Sequence, residues 1–361
     1  MNPINLHDYE QLARERLPQM VFDYYFGGSE DEVTLRENRL GWQKLRLRPR
    51  VLVDVGKRDL GTTVLGHSTS LPVLLAPCGF NALAHPDGEL AVARAATAAG
   101  VIQVVSTAGT FSLEEVAAAG AGGTRWFQLY CYRDRGITKW LVERAVAANY
   151  QALCLTVDAP LVGRRERDTR NRFGLPAGMT WKNLQHVGLD RMEAGDEGSA
   201  LERYISEIWD PSLTWDAIQW LRSLSSLPLV IKGILTAEDA RRAVDHGAAA
   251  IIVSNHGGRQ LDGTLATSEA LGEVVDAVTG RAEVLVDGGI RRGSDVLKAL
   301  ALGARAVLIG RPYLWALATS GQAGVEHVIN MLRDELDLDM ALAGCPTMAS
   351  IDRSLVRVPR S

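Results

Sequence analysis

Between Ser254 and Asp262 the chain sets a histidine and an arginine three residues apart, His256 and Arg259, with Gly257 and Gly258 between them. A histidine titrates near neutrality and can take a proton. An arginine presents a planar fork that pairs with both oxygens of a carboxylate. The glycines permit backbone angles and close approaches that other residues resist. The run thus describes a base beside an anion-binding cation on one tight loop. Asp158 could accept the other ring proton of His256, fixing its tautomer and stabilising the imidazolium. Arg165 could join Arg259 in holding a carboxylate. A lone histidine is more often packed or solvated, and a lone arginine is as often a surface ion pair. Only a fold that gathers these residues makes them a site.

The elements that would gather them are legible from about residue 72 onward. Apolar, β-branched runs alternate with longer stretches of helical spacing. The strand candidates are Val73–Ala76, Ile102–Ser106, Trp126–Tyr130, Ala152–Val157, Leu229–Lys232, Ala250–Ser254, Val284–Asp287 and Ala306–Ile309. Helical spacing covers Gly88–Ala99, Ser112–Ala119, Ile137–Ala148, Ala237–His246 and Ser294–Leu302. Alternation of this kind implies an α/β protein with a parallel sheet, and eight units imply a closed (β/α)8 TIM barrel. A doubly wound open sheet is the rival; no G-x-G-x-x-G follows the first strand to support it.

One domain, 1–361, accommodates the whole pattern: a helical segment over 1–70, the barrel over 71–320, and a closing helix (321–340) with a tail to 361. In the first segment Leu17-Pro18 ends one helix and Gly27-Gly28 another, and Ser29 with Glu32 offers a capping box for a third. After the fourth strand, residues 159–213 hold no convincing βα unit. A segment that long on the active face of a barrel reads as a lid or binding loop.

In such a barrel the chemistry collects at strand ends. Those ends carry Ser106, then Gln128 and Tyr130, then Thr156 and Asp158 with Arg164 and Arg165, then Lys232, then Ser254. Asp287-Gly288-Gly289 with Arg291, and Gly310-Arg311, follow the last two strands. Glycine-exposed N–H groups and a helix N-terminus there suit a phosphate. Such glycines can also serve tight turns alone, and the phosphate could belong to substrate or cofactor. Lys232, ending a buried strand, needs an anionic partner or a shifted pKa. Tyr24 and Tyr25 could be packing residues of an amphipathic helix.

Composition narrows the class. A net charge of -4 with both signs dispersed excludes a basic nucleic-acid face, and no apolar run is long enough for a bilayer. The four cysteines are scattered without C-x-x-C, which gives no metal cluster and fits a reducing cytoplasm. The N-terminus lacks the basic-then-apolar pattern of a signal peptide, and the C-terminus is not Ser-Lys-Leu.

Read together, these stretches resemble the FMN-dependent 2-hydroxy-acid oxidases and dehydrogenases, the group of glycolate, lactate and mandelate oxidising enzymes. The resemblance runs nearly end to end. It rests on Asp23-Tyr24-Tyr25 with Gly28, Ala76-Pro77, Ala84-His85-Pro86 with Gly88-Glu89, Gln128-Leu129-Tyr130, Thr156-Val157-Asp158 and Gly163-Arg164-Arg165-Glu166. Lys232-Gly233, the whole Ser254–Asp262 run, Asp287-Gly288-Gly289-Ile290-Arg291 and Gly310-Arg311 complete it.

The resemblance implies roles. His256 would be the base with Asp158 as its partner. Arg165, Arg259 and Tyr24 would bind the substrate carboxylate, and Tyr130 would reach the substrate near its reacting carbon. Lys232 would face N1 and O2 of the flavin. Pro77, Cys78, Ser106, Gln128, Thr156 and Ser254 would contact the ring. Asp287 would hold the ribityl chain, and Gly289, Arg291, Gly310 and Arg311 the phosphate. The partners would be a small (S)-2-hydroxy acid, oxidised to the 2-oxo acid, and molecular oxygen, reduced to hydrogen peroxide. A quinone or other acceptor is the alternative, and an FMN-dependent isomerase a more distant one. Family members are commonly homotetramers.

Two positions depart from the oxidase pattern. Ala108 stands where many short-chain members carry tryptophan, which predicts a wider pocket and bulky or aryl substrates, unless Phe80, Trp209 or the 159–213 loop refills the space. Gly79 follows Cys78 where oxidases often have alanine, a feature of the mandelate dehydrogenases.

Overall fold

Eight apolar runs pair in chain order and close on themselves. In this computed structural model, which describes residues 2–191 and 198–358, the strands are β1 (Val73–Leu75), β2 (Gln103–Ser106), β3 (Arg125–Leu129), β4 (Ala152–Thr156), β5 (Leu229–Ile234), β6 (Ala250–Val253), β7 (Glu283–Val286) and β8 (Ala306–Ile309). All barrel pairings are parallel, and β8 returns to β1 through Val307 opposite Val73. The predicted (β/α)8 barrel is therefore the observed fold. Strand side chains alternate, as a pleated strand requires. Leu74, Val104, Trp126, Cys154, Val230, Ile252, Leu285 and Leu308 fill the barrel interior. Their neighbours Leu75, Val105, Phe127, Leu153, Ile231, Ile251, Val286 and Val307 pack outward beneath the helices. Burial on both faces explains the continuous apolar runs.

Three helices precede the barrel: α1 (Leu6–Arg16), α2 (Gln19–Phe26) and α3 (Val33–Lys44). The helices after it begin with α4 (Gly88–Ala99), α5 (Leu113–Ala119) and α6 (Arg135–Ala147). A hairpin, Thr62–Val64 with His67–Thr69, inserts Val64 into the interior cluster and closes the face opposite the strand C-termini.

Three expectations are corrected. Ser29 and Glu32 form no capping box: Glu32 sits at φ 57 with its carboxylate held by Arg167 (2.7 Å) and by the Gly28 N–H (3.0 Å). The N–H groups of Val33 and Thr34 donate instead to Asp262, at 3.0 and 2.7 Å. The 159–213 insertion is not bare loop. It carries α7 (Glu166–Arg170), a 3-10 turn (Lys182–Val187) and α8 (Ala200–Ile208), while its residues 192–197 lie outside the described residues. After α9 (Asp216–Leu224), α10 (Ala237–Asp245), α11 (Thr267–Val278) and α12 (Gly293–Ala301), the closing helix α13 spans Arg311–Ala343 rather than 321–340. It breaks at Ser320 and Gly321, where φ reaches 58. Among the described residues no helix is long and apolar enough to cross a membrane.

Candidate active site

The strand C-termini open into one cavity, lined by every predicted site residue except Asp158, Gln128 and Ser254. Those three stand behind the lining and position it. Asp158 Oδ1 lies 2.8 Å from His256 Nδ1. Ser254 Oγ accepts the His256 N–H at 3.1 Å and the Lys232 ammonium at 2.7 Å. Gln128 accepts from Ser106 Oγ (3.2 Å) and donates to Thr156 Oγ1 (3.1 Å), tying β2, β3 and β4 into one polar floor.

The turn that presents His256 is strained. His256, Gly257 and Gly258 all have positive φ, at 58, 66 and 74°. A non-glycine residue in that region costs free energy and persists only where its surroundings enforce it. Here Asn255 Oδ1 accepts the Gly258 N–H (3.1 Å) and pairs with the Asn38 side chain (2.8 Å). A Cβ on Gly258 would stand 2.5 Å from Leu35 N, so α3 can approach only glycine.

Asp158 has its own enabling residue, which the sequence motifs left unexplained. Gly233 sits at φ +113 inside a register shift between β5 and β6, and a Cβ there would lie 2.6 Å from Asp158 Cβ. Burial would raise the Asp158 carboxyl, but the His256 charge and hydrogen bond, with Lys232, hold it below the usual carboxylate range. Burial is also the leading influence on His256 and lowers its pKa, against the pull of Asp158. Lys232 answers the expectation of an anionic partner: its Nζ lies 3.0 Å from Asp287 Oδ2. Burial would lower its pKa, but Asp287 and Asp158 raise it well above the ordinary lysine value.

Two guanidinium groups, Arg165 and Arg259, line the same cavity. Arg259 donates to the carbonyls of Tyr24 (2.5 Å) and Gly27 (2.9 Å) and lies over the Tyr24 ring. Tyr24 stacks on Phe173 with ring centres 4.2 Å apart, which locks it, and burial pushes its phenol up to about 12. Among the described residues Arg165 makes only long bonds, 3.4 Å to Arg259 O and 3.5 Å to Gln260 Oε1. Burial and the neighbouring Arg259 depress it to about 10. A buried cation so loosely held is short of an acceptor. Tyr130 stacks on Trp209 at 3.8 Å.

Arg291 and Arg311 are two further buried guanidinium groups of the cavity, depressed to about 10 and about 9 chiefly by burial, and Arg311 shares the Gly27 carbonyl with Arg259. Arg311 donates to the carbonyls of Tyr25, Gly257 and Gly27, so it also braces the His256 turn. Arg291 donates to Ile290 O, while its Nε is buried without a partner. Pro77, Gly289 and Gly310 also line the cavity, with Cys78, whose thiol is pushed up by burial.

Ala108 lines this cavity together with Phe80, Trp181, Leu201, Ile205 and Trp209. Four of these five come from the 159–213 insertion. That segment is pinned to the Ala108 loop: Trp181 Nε1 and Asn183 Nδ2 both donate to Thr107 O, at 2.7 and 2.9 Å. Part of the space a tryptophan at 108 would take is thus walled by the insertion.

Comparison with known proteins agrees with this geometry. The family model described as FMN-dependent dehydrogenase matches residues 13–358. The chain is 57% identical to an L-lactate oxidase of Nostoc sp. over 99% of both chains. It is 51% identical to the glycolate oxidase of Spinacia oleracea, covering 98% of this chain and 95% of that one. Among solved structures, a mandelate oxidase with (S)-4-hydroxymandelic acid superposes with a TM-score of 0.93 at 45% identity, over 98% of each chain. Barrel, motifs and relatives converge: the chain belongs to the FMN-dependent dehydrogenase family and is a flavoprotein oxidoreductase.

Proposed function

We propose that this enzyme oxidises an (S)-2-hydroxy acid to the 2-oxo acid with molecular oxygen as final acceptor, releasing hydrogen peroxide, and that it accepts bulky or aryl side chains. The observation that carries this reading is that His256, paired with Asp158 at 2.8 Å, and the under-satisfied Arg165 line one cavity. A base sharing a cavity with a carboxylate clamp suits a substrate with a hydroxyl one carbon from its carboxylate.

The residues fit the family's cofactor. Arg291 and Arg311 are buried cations with no carboxylate salt bridge among the described residues, which suits a phosphate. Asp287 Oδ1 is buried without a hydrogen-bond partner and suits a ribityl hydroxyl. Lys232 and the polar floor would face the flavin ring. When bound, FMN supplies the two-electron acceptor.

The chain's own groups do the rest. Oxidation of R–CH(OH)–COO⁻ to R–CO–COO⁻ releases two electrons and two protons. With Nδ1–H given to Asp158, the lone pair of His256 is on Nε2, which takes one of those protons. Asp158 stabilises the imidazolium that results. Arg165 and Arg259 hold the carboxylate, and the Tyr130 hydroxyl, kept protonated by burial, donates to the substrate oxygen.

The test is anaerobic flavin reduction over glycolate, lactate, longer aliphatic and aryl hydroxy acids, followed by an oxygen pulse. Rapid bleaching by lactate or mandelate with fast reoxidation supports the reading. Bleaching by glycolate alone would remove the bulky-substrate claim. Slow reoxidation by oxygen with fast reoxidation by a quinone would replace the acceptor.

A further inference from the structure

The carboxylate clamp contains a third charge that neither motif nor family pattern assigns. Asp168 lies on α7, three residues after Arg165, with its Oδ2 4.0 Å from Arg165 Nη1 and 4% of its side chain exposed. That distance is beyond a hydrogen bond, so charge couples the two. Burial raises the Asp168 carboxyl, while Arg259 and Arg165 both act to keep it ionised. The acidic groups facing it from other elements are Asp23 on α2 and Glu202 on α8. Asp23 is already paired with Arg167 at 3.1 Å. With Arg311, which shares the Gly27 carbonyl with Arg259, counted to the cofactor phosphate, Asp168 is the carboxylate that answers the clamp: two guanidinium charges and one negative charge leave a net of one.

We propose that Asp168 sets the charge of the clamp, holding it at one net positive charge so that it matches the single carboxylate of a 2-hydroxy acid and disfavours dicarboxylates. The inference rests on the hydroxy-acid reading above. Asp168 acts through Arg165 and Arg259 and is a positioning residue. A second carboxylate on the ligand would enter a clamp whose charge is already spent. Neutralising Asp168 removes one negative charge from the far side of the guanidinium groups, about 8 Å from the ligand, and at an effective dielectric of about 30 that tightens binding by about tenfold per ligand charge.

The experiment titrates the FMN-loaded enzyme with propionate and malonate, near-isosteric acids that differ by one carboxylate, reading the flavin absorbance. In Asp168→Asn the propionate Kd should fall about tenfold and the malonate Kd further, so their ratio shifts about tenfold toward the dianion. Asp168→Ser, a second neutral variant, should shift it the same way, and Asp168→Glu should stay near wild type. An unchanged ratio in the neutral variants, or weaker binding of both acids, would overturn the proposal and leave Asp168 a packing residue of α7. An Arg165→Met control separates the two readings. If that variant binds propionate as wild type does, the clamp itself is misplaced and both readings fall. If it loses propionate while the neutral variants keep the wild-type ratio, only the role of Asp168 falls.

Discussion

His256 is held in a left-handed conformation at φ 58, and its ring is paired with Asp158. A base works only when neutral, so activity falls as pH drops through its pKa. Burial, the largest influence, sets that pKa below the ordinary histidine value of 6.5. The acid limb of kcat/KM should therefore lie below pH 6.5, with a full rate at neutrality. A limb above pH 7 would show that the dyad is charged at rest. Asp158→Asn removes the charge that pulls the histidine pKa upward. It should move the limb to lower pH and cut kcat by about a hundredfold or more, with FMN still bound. At this scale the sequence was informative because the key residues are local: His256 and Arg259 share one turn, and glycines announce its geometry. Gly233 and Asp168 were harder to see. The need for glycine at 233 appears only once β5 and β6 slip in register and bring Asp158 against it. The burial of Asp168 depends on how α7 packs, which no local pattern encodes.

At the scale of elements, the insertion walls part of the cavity proposed to take the substrate side chain. Its helices bring Leu201, Ile205 and Trp209 to the wall beyond Ala108, and its 3-10 turn is anchored on Thr107. Ala108→Trp should crowd this wall. Overpacking of that kind costs about 1–3 kcal/mol. The expected outcome is a loss of at least about fivefold in kcat/KM for mandelate, with glycolate spared. Equal losses for both substrates would place the side-chain pocket elsewhere. The barrel strands were legible because parallel strands buried on both faces give continuous apolar runs. The insertion was not, since its helices are short and α7 starts without a side-chain cap, while Ser199 caps α8 amid polar sequence. The cap of α3 failed for a related reason. Asp262 supplies it from 229 residues away in sequence, while Arg167 occupies Glu32.

For the whole molecule, the barrel gathers four buried arginines, Arg165, Arg259, Arg291 and Arg311, around a single cavity, with Arg259 and Arg311 meeting at the Gly27 carbonyl. Arg291 and Arg311 are buried at a cost that a phosphate would offset. Removing FMN should lower the thermal midpoint, and inorganic phosphate should restore part of the loss. At a hundredfold excess over Kd, FMN contributes about 2.7 kcal/mol, a shift of several degrees. A midpoint indifferent to both ligands would remove these arginines from the cofactor site. The eight strand positions, and the gathering of their polar ends around one cavity, were legible in the sequence because the fold places chemistry at strand C-termini by rule. The central claim is that His256 is the proton acceptor of an FMN-dependent hydroxy-acid oxidation. Its most direct test is anaerobic mixing of FMN-loaded wild-type enzyme and His256→Ala with (S)-mandelate or (S)-lactate, following the visible flavin absorbance. The account predicts rapid bleaching in the wild type, and in the variant a bound, yellow flavin that is not reduced. Bleaching of the variant at the wild-type rate would contradict it.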